Sequence, residues 1–236
     1  MKPLGIKKCG IRLDSGDIAY LSRKARKMLD EAGWTECTIT VSNSLDEYLI
    51  QDLWMQDAKI DAFGVGERLI PAKSEPVFGC VYKLVAVEDK DGNIVPKIKI
   101  SENVGKITTP HFKKLYRFYG RDTGKAIADY LTVYDETVDD SQNLEIFDPD
   151  ATWKRKEVYH FEARELLVPI YQKGKLVYKR PDIEEIKKYC AEQVDTLWDE
   201  VKRFDNPHNY YVDLSQKLYD IKTELLNEKN ERYEKN

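Results

Sequence analysis

The stretch GIRLDSGD at residues 10–17 decides how this chain folds, because two more of the same kind follow it: ITVSNSLDE at 39–47 and IDAFGVGER at 60–68. Each opens as a short apolar run and closes in a turn of small and polar residues suited to a phosphate. Between the first two, Ile18, Leu21, Ala25, Met28, Leu29 and Ala32 recur at helical spacing, and Gly33 supplies a C-cap. The polar residues from Ser22 to Lys27 are expected on the solvated face of that helix. Thr38–Val41 reads as a buried strand. In Ser44-Leu45-Asp46-Glu47, a capping box with Ser44 as the cap would start a second helix that runs to about Gln56. Lys59–Phe63 is the third strand. Strand, helix, strand, helix, strand at this spacing is the signature of βαβ units and a parallel sheet. A closed barrel of eight such units takes about 250 residues, so three units are expected to be part of an incomplete α/β barrel.

The pattern changes near Pro76. Val81–Val87 and Lys97–Ile100 flank an Asp91-Gly92 hairpin signal. Tyr116–Tyr119 with Ile127–Tyr134 reads as a second antiparallel pair, and Leu166–Tyr171 with Leu176–Tyr178 around Lys173-Gly174 as a third. The Asp-rich segment 137–156 is expected to be a loop or linker. From Pro181 onward, Ile183, Ile186, Cys190, Val194, Leu197 and Val201 mark one apolar helix face. Asn206-Pro207 interrupts, a last helix is expected from near Asp213, and the charged end from Glu228 is expected to fray. Three sections result: 1–78 with the barrel strands and the phosphate site, 79–180 rich in antiparallel β, and 181–236 helical.

A chain of 236 residues can bury one or two cores. Its formal net charge of −4, with both signs mixed along the chain, argues against a nucleic-acid surface. No run approaches the roughly 18 apolar residues of a membrane span, and the N-terminus has no apolar signal core. Cys9, Cys37, Cys80 and Cys190 are scattered, so a disulfide framework or zinc site is not expected. A cytoplasmic protein with reduced thiols is the expectation.

Ligands of parallel sheets bind at the carboxyl ends of the strands. That rule selects Arg12, Asp14, Ser15, Gly16 and Asp17; then Ser42 and Asn43 with Ser44; then Gly64, Val65 and Gly66. Small residues let backbone amides approach a phosphate, and a helix N-terminus adds a favourable dipole. Arg12 can clamp a phosphate bidentately. Asp14 and Asp17 can hold ribose hydroxyls, or a Mg²⁺ that keeps most of its waters. Each group also has a plain structural reading: Ser44 and Asp17 as helix caps, Arg12 with Asp14 as an ion pair, the glycines as turns. Their coincidence at three successive strand ends favours an anion site for a sugar phosphate. His111, His160 and His208 lie beside no nucleophile and show no metal spacing, so packing or surface roles are expected for them.

On these residues the chain resembles nicotinate phosphoribosyltransferases. GIRLDSGDIAYLSRKARKMLDEAG, VSNSLDE, IDAFGVGERLI, EPVFGCVYKLVAVED, KIKISEN and NPHNYYVDLS follow that family in order and spacing. The resemblance covers essentially this whole chain but only the C-terminal half of a family member. It implies an α/β fold, the C-terminal portion of a type II phosphoribosyltransferase, followed by a β-rich section and C-terminal helices. It also implies the conversion of nicotinate, phosphoribosyl pyrophosphate and ATP to nicotinate mononucleotide, pyrophosphate, ADP and phosphate in NAD biosynthesis, with Mg²⁺. Arg12, Asp14, Ser15 and Gly16 would then sit by the ribose and pyrophosphate, with Asp14 on the side of the developing oxocarbenium ion. Ser42, Asn43, Gly64, Val65 and Gly66 would hold the 5′-phosphate. The family's phosphorylatable histidine lies in a Gly-Thr-x-Ala-His-Ser segment that this sequence does not contain. Without that segment the chain alone is expected to be inactive. A three-stranded piece of barrel would also leave two long apolar sheet edges and an uncovered inner face, an aggregation liability, so the chain is expected to be poorly soluble and to need a separate N-terminal half or a homodimer partner. A non-catalytic module that still binds a phosphoribosyl group is the alternative, and a remnant that binds nothing a weaker one.

Overall fold

The computed structural model describes residue 5, residues 8–77 and residues 79–234. They form two compact units, 1–81 and 82–236; the expected boundary at residue 78 falls on a position outside the described residues.

The first unit is built as the hydrophobic spacing dictates. Strand β1 (Gly10–Leu13), helix α1 (Ile18–Glu31), strand β2 (Thr38–Ser42), helix α2 (Glu47–Met55) and strand β3 (Ala62–Gly64) follow in order. The strands pair in parallel in the order β1-β2-β3, with Arg12 opposite Thr40 and Ser42 opposite Gly64. Helix α1 ends as its sequence predicts. Gly33 lies at φ +74°, its N–H donates to Asp30 O, and Trp34 N–H donates to Leu29 O. A left-handed residue there is nearly strain-free only for glycine.

Ile39, Val41, Leu45, Leu53 and Ala19 form the buried core of this unit, with Ile11, Leu13, Ile18, Leu29 and Phe63 packed around them. Ile11, Leu13, Ile39 and Val41 are alternate residues of their strands, so the helices cover one face of the sheet only. The alternating positions Gly10, Arg12, Thr38, Thr40, Ser42, Ala62 and Gly64 are small or polar and not buried. Parallel sheets covered on both faces are apolar throughout; this one is not. The edge strands are four and three residues long, so the long apolar edges expected to drive aggregation are not there.

Two expectations about the first unit are corrected. Ser22 does not lie on a solvated face: it is wholly buried, its hydroxyl donates to Ala19 O and accepts from Lys59 N–H. The buried serine supplies an acceptor to a backbone amide that approaches from outside the helix. Ser44 does not cap α2. Asp46 does, accepting from Leu49 N–H at 2.8 Å, while Ser44 sits in the turn before it at φ +50°.

The second unit contains a four-stranded sheet and three small hairpins. Strands β4 (Ala86–Glu88) and β5 (Ile94–Pro96) form the hairpin expected around Asp91-Gly92. Strands β6 (Lys113–Gly120) and β7 (Ala126–Val133) are the long antiparallel pair. The segment read as a linker instead contains a hairpin, β8 (Leu144–Phe147) with β9 (Arg155–Val158). Its apolar residues Ile146, Phe147 and Val158 are buried, and burial overrides an Asp-rich composition. Strand β10 (Phe161–Glu165) pairs with β6. Strands β11 (Tyr171–Gln172) and β12 (Lys175–Leu176) form a short hairpin at Lys173-Gly174.

Helix α3 (Ile183–Thr196) starts from a capping box of Asp182 and Glu185, but buries none of its residues; the expected apolar face is open. Strand β13 (Val212–Leu214) occupies the place expected to begin the last helix and pairs in parallel with β7. Helix α4 (Gln216–Glu234) then follows; residues 235–236 of the charged end lie outside the described residues. The core gathers Tyr116, Phe118, Tyr130, Ile146, Val158 and Phe161, with Val133, Leu214 and Leu218 as a second cluster. The Phe118 ring packs at a tilt against both Tyr130 and Phe161, with centroid distances of 5.3 and 4.7 Å.

Candidate functional site

In the first unit the carboxyl ends of β1, β2 and β3 lie side by side, because the strands are parallel and in register. Arg12 is on the face that the helices leave open. Its Nε donates to Ser42 Oγ at 2.8 Å, and its Nη2 lies 3.5 Å from Asp14 Oδ2. These two contacts fix the guanidinium across the ends of β1 and β2. With 64% of the side chain exposed, N–H groups remain for an incoming oxyanion.

The turns around Arg12 are bent tightly. Gly16 is at φ +78°, and a Cβ there would lie 3.0 Å from Leu21 Cδ1. Asn43 and Ser44 are both left-handed, at φ +94° and +50°. Consecutive non-glycine residues in that region store strain, and such strain gathers at ligand clamps. Leu45, buried to 2% exposure, anchors the turn in the core. Opposite Ser42, Gly64 keeps two strand ends close: a Cβ on it would be 3.4 Å from Ser42 Cβ. Around Gly66 the same test finds open space.

The sequence-derived residues thus divide by what they touch. Arg12, Asp14 and Ser42 are in contact, Gly64 is in register with Ser42, and Asn43 shapes the turn between. Ser15 is exposed in the first turn. Asp17 caps α1, accepting from Tyr20 N–H at 2.9 Å. The side chain of Val65 packs against the core, which leaves only its backbone for contact with anything bound there. One residue went unnoticed in the sequence. Arg68, just beyond Gly66, pairs through Nη1 with the capping carboxylate of Asp46, while its Nε is buried with no partner among the described residues. The pair ties the end of β3 to the start of α2. A basic residue after GVGE in the third repeat was the signal.

In the second unit, Arg117 grips Asp129 across the β6–β7 pair, Nε to Oδ1 at 2.7 Å and Nη2 to Oδ2 at 2.9 Å. Tyr210 donates its hydroxyl to the same carboxylate at 3.0 Å. Burial and the adjacent Asp129 hold the Tyr210 hydroxyl well above the usual range, and burial with Glu136 pushes Tyr130 up to about 12. These groups stay in one protonation state near neutrality and serve structure. Of the histidines, His160 lies 3.1 Å from Asp122 on the surface, His208 bonds through Nδ1 with Asn209 O, and His111 sits at φ +76° against Phe112 N–H. Among the described residues no group of three His, Cys, Asp or Glu side chains gathers to hold a metal, and no helix is long and apolar enough to cross a membrane.

Comparison with known proteins agrees with this layout. Residues 112–222 match the nicotinate phosphoribosyltransferase C-terminal domain. The chain is 46% identical over 225 residues to the nicotinate phosphoribosyltransferase of Bacillus subtilis, covering 95% of this chain and 46% of that protein. To nicotinate phosphoribosyltransferase 2 of Arabidopsis thaliana it is 36% identical, covering 94% and 40%. The crystal structure of human nicotinic acid phosphoribosyltransferase superposes with a TM-score of 0.65 at 25% identity, over 92% of this chain and 40% of that one. A nicotinate-nucleotide pyrophosphorylase from Pyrococcus furiosus shares the fold, with a TM-score of 0.52 at 23% identity. The chain thus spans less than half the length of these relatives. Residues 112–222 thus match the C-terminal domain of nicotinate phosphoribosyltransferases, and over more than nine-tenths of its length the chain is similar to members of that family.

Proposed function

We propose that this chain supplies the phosphoribosyl-binding strand ends of a nicotinate phosphoribosyltransferase, which joins nicotinate to phosphoribosyl pyrophosphate in NAD biosynthesis, with ATP as co-substrate. The observation that carries the reading is Arg12, held across two strand ends by Ser42 and Asp14 with its remaining N–H groups exposed. Transfer of a phosphoribosyl group develops positive charge on the ribose and negative charge on departing pyrophosphate. Arg12 is placed to hold a phosphate oxyanion, and Asp14 to face the ribose, where a fixed carboxylate stabilises the oxocarbenium character. The turn at Asn43 and the strand end at Gly64 bring backbone amides to the 5′-phosphate, and the turn at Gly16 brings its own to the pyrophosphate. Helix α1 adds its N-terminal dipole next to Asp17.

Mg²⁺ fits this donor set in one way. Asp14 is an exposed carboxylate with a single ion-pair partner, and Mg²⁺ commonly takes one or two carboxylates while substrate phosphates and water fill the rest. The ion would neutralise the leaving pyrophosphate; this chain's share is to present Asp14 to it. No residue of the chain is assigned to ATP. The open polar sheet face and the exposed apolar side chains of Leu69, Ile70, Val81, Tyr82, Ile183 and Ile186 support completion of an α/β barrel by strands from outside this chain, through an N-terminal part or a homodimer partner.

The test is calorimetric titration of the full chain with phosphoribosyl pyrophosphate and Mg²⁺, before and after addition of a separately made N-terminal portion of the Bacillus subtilis relative. Binding without turnover by the chain alone, and turnover only in the mixture that Asp14→Ala abolishes, is the expected result. Binding that Asp14→Ala merely weakens, with no turnover in the mixture, would leave a non-catalytic module. No binding in either case would end the proposal.

A further inference from the structure

The second unit contains a cavity that the phosphoribosyl reading leaves unused. Its volume is about 570 Å³, within the roughly 300–1,000 Å³ of small-molecule pockets. Asp213, Asp148, Lys156, Phe147, Trp198 and Tyr211 are among the residues that line it. Asp213 is the anomaly. It lies on β13 at 4% exposure, lines the cavity, and its carboxylate accepts no hydrogen bond among the described residues. The fully enclosed unpaired side-chain atoms among the described residues are Arg68 Nε and Thr132 Oγ1, so the Asp213 oxygens keep access to the cavity; a largely buried carboxylate with no protein hydrogen bond is costly, and native proteins rarely keep one without a use.

The neighbours define what is missing. Asp148 is already engaged with Lys154 at 3.7 Å. Lys156 is near enough to favour the ionised form of Asp213, yet makes no ion pair with it. Trp198 is held in place by donating its indole N–H to Ala126 O at 3.0 Å, and remains 45% exposed. Tyr211 is 39% exposed. Aromatic faces beside a carboxylate form a receptor for a cation: the rings attract it through their quadrupole, and the carboxylate accepts its N–H groups. A divalent metal is not favoured, because no group of three ligating side chains assembles among the described residues.

We propose that this cavity is a second binding site, for a small organic molecule bearing a primary ammonium group. The ammonium donates to Asp213, and the carbon skeleton lies against Trp198 and Tyr211. No chemistry is done on the ligand. The site belongs to the family's C-terminal domain and is independent of the phosphoribosyl site, since it draws on no residue of the first unit.

The experiment is a magnetic-resonance titration of the full chain at pH 7.5 with 2-phenylethylamine, alongside 2-phenylethanol, a neutral molecule of nearly the same shape. Saturable amine binding with a Kd of about 1 mM or tighter, perturbing the Trp198 indole resonance, is expected. The alcohol should bind at least tenfold more weakly. Asp213→Asn, which preserves volume, should remove that preference. Equal binding of amine and alcohol to the wild-type chain would overturn the proposal without any variant having to fold. So would amine binding that Asp213→Asn leaves unchanged, or no saturable binding of the amine.

Discussion

Replacing Arg117 by methionine should cost the second unit several kcal/mol, and the size follows from what the arginine leaves behind. Arg117 and Asp129 face each other in register on β6 and β7, joined by two hydrogen bonds of 2.7 and 2.9 Å. Their side chains are 20% and 11% exposed. Removal of one partner from a buried pair costs about 3–5 kcal/mol, because an uncompensated charge stays behind. The partial exposure of the arginine and the surviving bond from Tyr210 reduce this to about 2–4 kcal/mol. For a unit of this size, each kcal/mol lowers Tm by about 2–4 °C. Asp129→Leu frees an arginine that can turn toward water, and should cost less. The double variant Arg117→Met/Asp129→Leu replaces the pair by apolar groups, and such swaps are often nearly neutral. Urea unfolding of the four proteins, followed by circular dichroism and tryptophan fluorescence, gives the coupling energy directly. A coupling of about 2 kcal/mol or more is expected. If Arg117→Met costs under about 1 kcal/mol, or if the two single losses simply add, the pair is not a closed buried clamp and the reasoning fails.

Other consequences are open to measurement. Ser22→Ala removes the acceptor of the part-buried Lys59 amide and should destabilise the first unit by about 0.5–1.5 kcal/mol; equal midpoints in urea would show that the amide finds water. Burial and Asp148 push the Asp213 carboxyl up to about 6, with Lys156 opposing, while Tyr130 on the paired strand stays protonated. The unfolded chain therefore releases this proton first, and stability falls as pH rises from about 4 through 6. Asp213→Asn should flatten that fall and stabilise the protein at pH 7.5, by on the order of 1–2 kcal/mol; an unchanged pH profile in thermal melts would contradict it. Arg12→Ala should weaken binding of ribose 5-phosphate at least tenfold by calorimetry, with a loss of salt dependence, and an affinity equal to the wild type would remove Arg12 from the site.

Much of the first unit was legible because its signals are local. Apolar spacing over 18–32, the left-handed Gly33 after α1, and small residues after each strand are all set within a few positions of chain, so the βαβ order and the strand ends could be read directly. What lay beyond reach depends on partners distant in sequence. Ser22 is polar and sits in a polar run, yet Lys59 arrives 37 residues later to use its hydroxyl. Asp46 rather than Ser44 caps α2, and Arg68, 22 residues on, pairs with that cap. The Asp-rich segment 137–156 reads as a linker by composition, while three buried apolar side chains make its ends a hairpin.

The sequence by itself determined that the chain contains three parallel strands joined by two helices, with polar strand ends, and which residues stand at those ends, since strand alternation and turn chemistry are properties of neighbouring residues. Only the tertiary structure decided that Arg12 is held by Ser42 and Asp14, that one sheet face is polar and open, and that Asp213 is buried without a partner. Those facts depend on which strands lie side by side, and burial removes the water that would otherwise satisfy any lone charge or amide.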